Sequence, residues 1–264
     1  MKQDTISLLQ SPVTGLELKL EQKILSDGNT TEQLISSQNE SFIVDNNIPI
    51  FHEADKLTDL NKKYQMFYDK INWYYDLGGK IVMYLLHGGE ENVRREYLKE
   101  LEIADDSKVL EVSVGSGANL QFMPKAPKYY GLDIAMKMMR RCQKNALKWG
   151  LDLELFYANA EALPFKNNSF DVVFHVGGIN YFNNKKAAID EMIRVAKPGT
   201  KLIIVDETEQ LAKAASRIIP GAANYYRRDK PIEPPIDLVP DEMLEKEVKL
   251  TANGDLYCVC FRKP

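Results

Sequence analysis

Glu111, Gly115, Gly117 and Asp133 are the residues of this chain whose types and spacing point to chemistry. The first three lie in Val109-Leu-Glu-Val-Ser-Val-Gly-Ser-Gly-Ala-Asn-Leu120, an apolar run that enters a glycine turn. Val109, Leu110, Val112 and Val114 read as a short buried strand. Gly115 and Gly117 let the backbone turn sharply and approach a ligand that a side chain would hold off. Glu111 sets an acid inside the apolar run, which is costly unless a partner meets it. A second strand-like run, Tyr129-Tyr-Gly-Leu-Asp133, also ends in an acid. An acid there, roughly 20 residues on, is where a ribose hydroxyl pair is usually held. The pattern predicts an adenosine-containing cofactor.

The glycines narrow the choice. A dinucleotide fingerprint places a third glycine three residues after the second, and that position is Leu120. A phosphate loop ends in Gly-Lys-Ser/Thr, and the turn has no such ending. What stands here is acid-x-x-x-Gly-x-Gly. It resembles the first motif of the class I S-adenosylmethionine-dependent methyltransferases, whose cofactor carries no phosphate.

Further motifs follow in family order. The stretch from Ala135 to Trp149 reads as a helix stopped by Gly150. Leu153 to Tyr157 reads as the next strand. It leads into Ala158-Asn-Ala-Glu-Ala-Leu-Pro-Phe165, similar to the family's Gly-Asp-Ala-Glu-x-Leu-Pro-Phe segment. Ser169-Phe-Asp-Val-Val-Phe-His175 resembles its Ser-Phe-Asp-x-Val strand. A helix carries Ala188, Ile189, Met192, Ile193 and Ala196. Arg194-Val-Ala-Lys-Pro-Gly-Thr200 resembles the turn before the fifth strand. The resemblance covers about residues 64 to 264 and implies an α/β fold. Its expected form is a Rossmann-like seven-stranded sheet with helices on both faces.

The resemblance also implies roles. Asp133 would accept from both ribose hydroxyls, Gly115 and Gly117 would pass the methionine end, and Glu111 would orient the loop or the cofactor's amino group. Asn159 and Ala160 would edge the adenine. Tyr68-Asp-Lys-Ile-Asn-Trp-Tyr-Tyr-Asp76 is similar to the segment that closes the pocket in quinone-type relatives, with Tyr75 at the matching position. Methyl transfer needs alignment, exclusion of water and, for hydroxyl or carbon nucleophiles, removal of a proton. His175 ends its strand at the sheet edge where ligands bind, so it is the candidate proton acceptor. The alternatives are a structural histidine or a backbone contact to the cofactor. Many relatives carry a His pair where Asn180 and Tyr181 stand.

The elements that position these residues fit one large core. The chain has 264 residues, 44% of them hydrophobic and 27% charged, as in ordinary globular proteins. No apolar run approaches the roughly 20 residues that span a bilayer, and the start has no apolar signal core. Three cysteines fit a reduced cytoplasm. Cys258 and Cys260 alternate on one strand and share a face, as core filling or as a metal or disulfide pair; no metal site is expected. Net charge of −4 weighs against nucleic acid.

Residues 1 to 53 differ in kind and read as a small β-rich module before a methyltransferase domain at 54–264. Its strand-like pieces, 16–20 and 41–45, flank a polar stretch from Ser26 to Glu40. Leu9-Gln-Ser-Pro-Val-Thr-Gly-Leu-Glu-Leu18 resembles the opening of zinc-ribbon modules fused to some methyltransferases, with Ser11 and Thr14 replacing both cysteines. A lid segment is expected at 64–89 and a substrate-side insertion at 206–240. Within the latter, 206–219 reads as a helix, and Tyr225, Tyr226, Arg227 and Arg228 would meet an anionic or membrane-associated substrate or form a solvated loop. A hairpin at Asn253-Gly254 joins the last two strands. The expected function is transfer of a methyl group to a small molecule, quinone-like or lipid-like. An RNA base methyltransferase and a non-catalytic cofactor-binding regulator are the alternatives. Oligomeric state is not legible.

Overall fold

The computed structural model describes residues 1–24, 30–51, 89–218 and 231–264. A seven-stranded sheet runs in the order β10-β11-β9-β8-β5-β6-β7. Its strands are β5 (Lys108–Val112), β6 (Lys128–Asp133), β7 (Asp152–Tyr157), β8 (Val172–Val176), β9 (Lys201–Glu207), β10 (Leu244–Thr251) and β11 (Leu256–Arg262). The five strands from β7 to β9 are parallel, while β11 pairs antiparallel with both β9 and β10.

Parallel strands buried on both faces need continuous apolar runs, and β5, β8 and β9 have them: Val109, Leu110, Val172, Val173, Leu202 and Ile203 are all buried. Helices cover both faces. On one face lie α4 (Lys185–Val195) and α5 (Glu209–Ile218), with Ala188, Ile189, Met192 and Ala212 packed against Leu110, Val173 and Leu202. On the other lie α2 (Glu90–Leu98) and α3 (Met136–Trp149), with Val93, Tyr97, Met139 and Cys142 against Val109 and Phe174. The expected α/β architecture is therefore present, and α3 ends at Gly150 in the left-handed region (φ 69°) as its sequence predicts.

From β5 the chain pairs with β6 on one side and with β8 on the other. Strand order reverses at that point, so the carboxyl edge between β5 and β8 is the crevice where such sheets bind ligands.

A second, antiparallel sheet runs β1-β2-β3-β4, from β1 (Leu18–Ile24), β2 (Thr30–Ser36), β3 (Ser41–Asp45) and β4 (Ile48–Pro49). Here the structure corrects the sequence reading: β2 lies inside the stretch expected to be a polar break. Its backbone is satisfied by pairing with both β1 and β3, and Leu34 is fully buried. The sheet shares a core with the larger one, because Leu9, Leu34, Val44 and Phe51 join Phe156, Phe165 and Phe170. Its trailing residues also cover the β7 edge, with Ile50 bridging Tyr157 and the Phe51 N–H donating to the Tyr157 carbonyl at 2.8 Å. An uncovered edge strand would be open to pairing with other chains. The short helix α1 (Gln3–Ile6) is tied down by Thr5, whose hydroxyl donates to Glu154 at 2.5 Å.

The expected helix at 206–219 also starts later than the sequence implies. Asp206 and Glu207 continue β9, paired with Tyr257 and Leu256 of β11. The helix begins after Thr208, whose carbonyl accepts from the Ala212 N–H at 3.0 Å.

Candidate functional site

The strand-to-turn reading of 109–120 holds. After β5 the backbone enters the left-handed region at Ser113 (φ 62°), Gly115 (φ 53°) and Gly117 (φ 75°). The turn is tied to β6 at two points. The Val114 N–H donates to the Leu132 carbonyl at 3.0 Å, and the Gly115 N–H donates to Asp133 Oδ2 at 2.8 Å. Asp133 Oδ1 accepts from the Ala135 N–H at 2.8 Å. The Ile134 N–H is a third backbone donor to this carboxylate, so the backbone fixes its orientation at the end of β6. Burial raises the Asp133 carboxyl's pKa, while the Ala135 and Gly115 N–H groups oppose that shift.

Gly117 is required twice over. A Cβ there would lie 2.7 Å from the Cys142 sulfur, which is fully buried on α3. A left-handed φ also costs a non-glycine residue about 1–2 kcal/mol. Gly117→Ala is expected to destabilise the protein by about 2–4 kcal/mol in denaturant titration. Adding Cys142→Ala should return the part due to the clash and leave the backbone part. An unchanged midpoint in the single variant would contradict this account.

Glu111 lies on β5 and is buried. Its Oε1 accepts from Asn119 Nδ2 at 2.5 Å, while its Oε2 finds no hydrogen-bond partner among the described residues. Burial pushes its carboxyl up to about 8, against the pull of Asn119 and of the Arg94 guanidinium. The Asn119 oxygen accepts in turn from the Tyr97 hydroxyl at 2.9 Å and from Arg94 Nη1. Arg94 and Tyr97 stand on α2, which the sequence reading did not connect to the site.

Asn159 and Ala160 follow β7, next to Asp133, whose carbonyl accepts from the Ala158 N–H at 3.3 Å. Asn159 Oδ1 accepts from the Glu161 N–H at 3.0 Å. Ala160 is buried, backbone and side chain together. Tyr75, with residues 64–88 of the expected lid segment, lies outside the described residues, as do Tyr225 to Arg228.

His175 does not fit the role of proton acceptor. Its ring is fully buried in β8. Nδ1 lies 3.0 Å from the Val112 carbonyl, and Nε2 lies 3.0 Å from the Ile179 N–H. A carbonyl only accepts and an amide N–H only donates, so both partners fix one neutral tautomer and use both nitrogens. Burial also pushes its pKa down to about 4, only partly offset by Val112. The ring ties β5 to the loop after β8, and no nitrogen is left for a substrate proton.

That loop has a second support which the sequence reading missed. Asp206, buried at the end of β9, accepts from the Gly178 N–H at 3.1 Å and the Asn180 N–H at 2.9 Å. Asn180 in turn donates to the Glu207 carbonyl at 3.0 Å and accepts from the Tyr257 hydroxyl at 2.8 Å. The Tyr181 hydroxyl donates to Glu207. These groups line the carboxyl ends of β8 and β9, beside the crevice.

Cys258 and Cys260 are both buried and share a face, with sulfurs 3.5 Å apart. Cys260 also lies near Glu100 and Glu247, their ligand atoms all within 4.8 Å of one another. Lys201 and Lys249 pair with Glu100 at 2.8 and 2.9 Å, so ammonium groups already balance these acids.

Residues 110–204 match the family described as a methyltransferase domain. The chain carries a class I S-adenosylmethionine-dependent methyltransferase domain. It is 30% identical over 169 residues to a ubiquinone/menaquinone biosynthesis C-methyltransferase of Wigglesworthia glossinidia brevipalpis, covering 62% of this chain and 66% of that protein. It is 27% identical over 161 residues to a demethylmenaquinone methyltransferase of Corynebacterium urealyticum, covering 61% and 63%. In both cases the match spans less than two thirds of the relative. Among solved structures, a methyltransferase of Thermotoga maritima aligns with a TM-score of 0.57 at 18% identity, over 78% of this chain and all of that one. That likeness concerns the fold.

The residues of this methyltransferase domain fit S-adenosylmethionine. Glu111 Oε2 is a buried acceptor with no donor among the described residues, and the cofactor has an ammonium. Asp133 places a carboxylate at the end of β6, and the cofactor has a ribose diol. The turn at 113–117 brings bare backbone past the crevice. No helix among the described residues is long and apolar enough to cross a membrane.

Proposed function

We propose that the protein transfers a methyl group from S-adenosylmethionine to a small-molecule acceptor, with a quinone-like ring as the acceptor class. The observation that carries the reading is the convergence of Asp133, the 113–117 turn and the unpartnered Glu111 oxygen at the strand-order reversal. The relatives support the acceptor class, since one is named a ubiquinone/menaquinone biosynthesis C-methyltransferase and another a demethylmenaquinone methyltransferase.

When bound, the cofactor supplies an electrophilic methyl on a sulfonium sulfur. In this reading Asp133 accepts from both ribose hydroxyls. Gly115 and Gly117 pass the methionine backbone, and Glu111 Oε2 accepts from the ammonium. Asn159 and Ala160 border the adenine. Asp133 on β6 would hold the ribose, and the 177–181 loop, held by Asp206 at the ends of β8 and β9, would wall the acceptor side. Alignment and exclusion of water carry most of the rate. No proton is routed through His175.

The N-terminal residues 1–53 are read as a metal-free relative of the ribbon modules. Ser11 donates to Glu40 at 2.8 Å and Thr14 donates to the other oxygen of the same carboxylate at 2.5 Å. Hydrogen bonds thus close the turn that thiolates would close around a metal. Residues 54–264 are read as the catalytic unit.

The test has two stages. Calorimetric titration with S-adenosylmethionine and S-adenosylhomocysteine should give micromolar binding. Incubation with methyl-labelled cofactor and demethylmenaquinol should then give a product one methyl heavier. Absence of binding by folded protein overturns the assignment. Binding without transfer to any quinol or phenol removes the quinone-like class, and binding without transfer to any small molecule favours a non-catalytic regulator.

A further inference from the structure

We propose that Arg94 is a positioning residue for the amino-acid end of the cofactor, acting from α2 through Asn119 on Glu111. This role rests on the S-adenosylmethionine reading above. It adds a residue that neither the glycine motif nor the sheet edge contains.

The argument follows from donors and acceptors. Arginine can only donate, so the Asn119 atom that meets Arg94 Nη1 must be its amide oxygen. The Tyr97 hydroxyl adds a second donor to that oxygen at 2.9 Å. With the oxygen held from one side, the amide nitrogen is turned toward Glu111 and donates to Oε1 at 2.5 Å. That bond selects which carboxylate oxygen is spent inside the protein. The other, Oε2, is left buried and without a partner among the described residues. A buried acceptor in that state costs about 1–3 kcal/mol, and a ligand ammonium relieves the cost.

Arg94 is itself held in place. Its Nε and Nη2 donate to one oxygen of Glu90 at 2.9 and 2.7 Å, one helical turn back. Nη1 also lies 3.1 Å from the Tyr97 hydroxyl. Glu90 pairs with the guanidinium, and Arg94 acts on Glu111 both through the Asn119 amide and by its charge. Asn119 and Glu111 are both buried, which keeps water from substituting for either contact. Without Arg94 the Asn119 amide loses one of the two donors that orient it. Glu111 then loses the contact that points its free oxygen.

The experiment compares two ligands that share the adenosine part. S-Adenosylhomocysteine carries the α-ammonium and carboxylate, and 5′-methylthioadenosine carries neither. Wild type, Arg94→Met and Arg94→Lys are titrated with both. Arg94→Met is expected to weaken S-adenosylhomocysteine at least tenfold and methylthioadenosine less than twofold. Arg94→Lys should regain part of the loss. Equal weakening of both ligands means general loosening of the site and overturns the proposal. So does an unchanged affinity for both. If Arg94→Met does not fold, Tyr97→Phe removes the second donor to the same oxygen without changing charge, and should shift the ratio in the same direction. If folded wild type binds neither ligand, the cofactor reading itself fails, and this role fails with it.

Discussion

Asp133→Ala is expected to lower affinity for S-adenosylmethionine and S-adenosylhomocysteine by roughly two to four powers of ten. Two hydroxyl donors to one carboxylate contribute about 1.5–3 kcal/mol each, and every 1.4 kcal/mol is tenfold. The substitution acts on the protein too. It leaves the Gly115 and Ala135 N–H groups without the acceptor they meet at 2.8 Å, so the turn loses one of its two ties to β6. Asp133→Asn keeps one acceptor oxygen but sets an NH2 group against a backbone donor. Its affinity should fall between wild type and the alanine variant. Calorimetry on folded protein decides. A loss below threefold in Asp133→Ala would mean that the ribose is held elsewhere.

Glu111→Gln should trade binding for stability. Burial raises this carboxyl from its ordinary 4.5 to about 8. Between those values the unfolded chain has released the proton and the folded chain has kept it. The folded state therefore binds more protons, and stability falls as pH rises through the window. The favourable contribution is complete below about 4.5 and gone above about 8. Asp133 shifts in the same direction, so some slope remains in the variant. In cofactor-free protein, Glu111→Gln should match wild type near pH 4.5 and melt several degrees higher near pH 8.5. The same change removes the anion that faces the ligand ammonium. A charge-assisted bond of about 1.5–3 kcal/mol is lost, or roughly ten- to a hundredfold in affinity. Melting curves that coincide at every pH would show that Glu111 carries no buried charge.

Legibility followed sequence distance. The turn after β5, the acid at the end of β6 and the stop of α3 at Gly150 depend on residues a few positions apart, and all were readable. β2 was not. Thr30 to Ser36 is polar enough to pass for a loop, and only pairing with β1 and β3 makes it a strand. The start of α5 was misplaced because Asp206 and Glu207 look like a helix opening. Their partners on β11 lie about fifty residues ahead.

His175 marks the limit most clearly. Its type and its place at a strand end are both visible in the sequence, and they leave proton transfer, a structural role and a backbone contact to the cofactor open. What decided its role was the direction of two backbone groups, the Val112 carbonyl and the Ile179 N–H. Pairing of β5 with β8 sets the first, and the loop after β8 sets the second.

The sequence by itself determined the sheet, the glycine turn and the acids at Glu111 and Asp133, because local periodicity and backbone freedom specify them. Tertiary structure alone decided which acid oxygen stays free and which histidine nitrogens are spent. It also decided that Arg94, twenty-five residues before Asn119, donates to it. Those outcomes depend on which donors meet which acceptors across the packed core. Hydrogen bonding is directional and short-ranged, so no spacing along the chain encodes it.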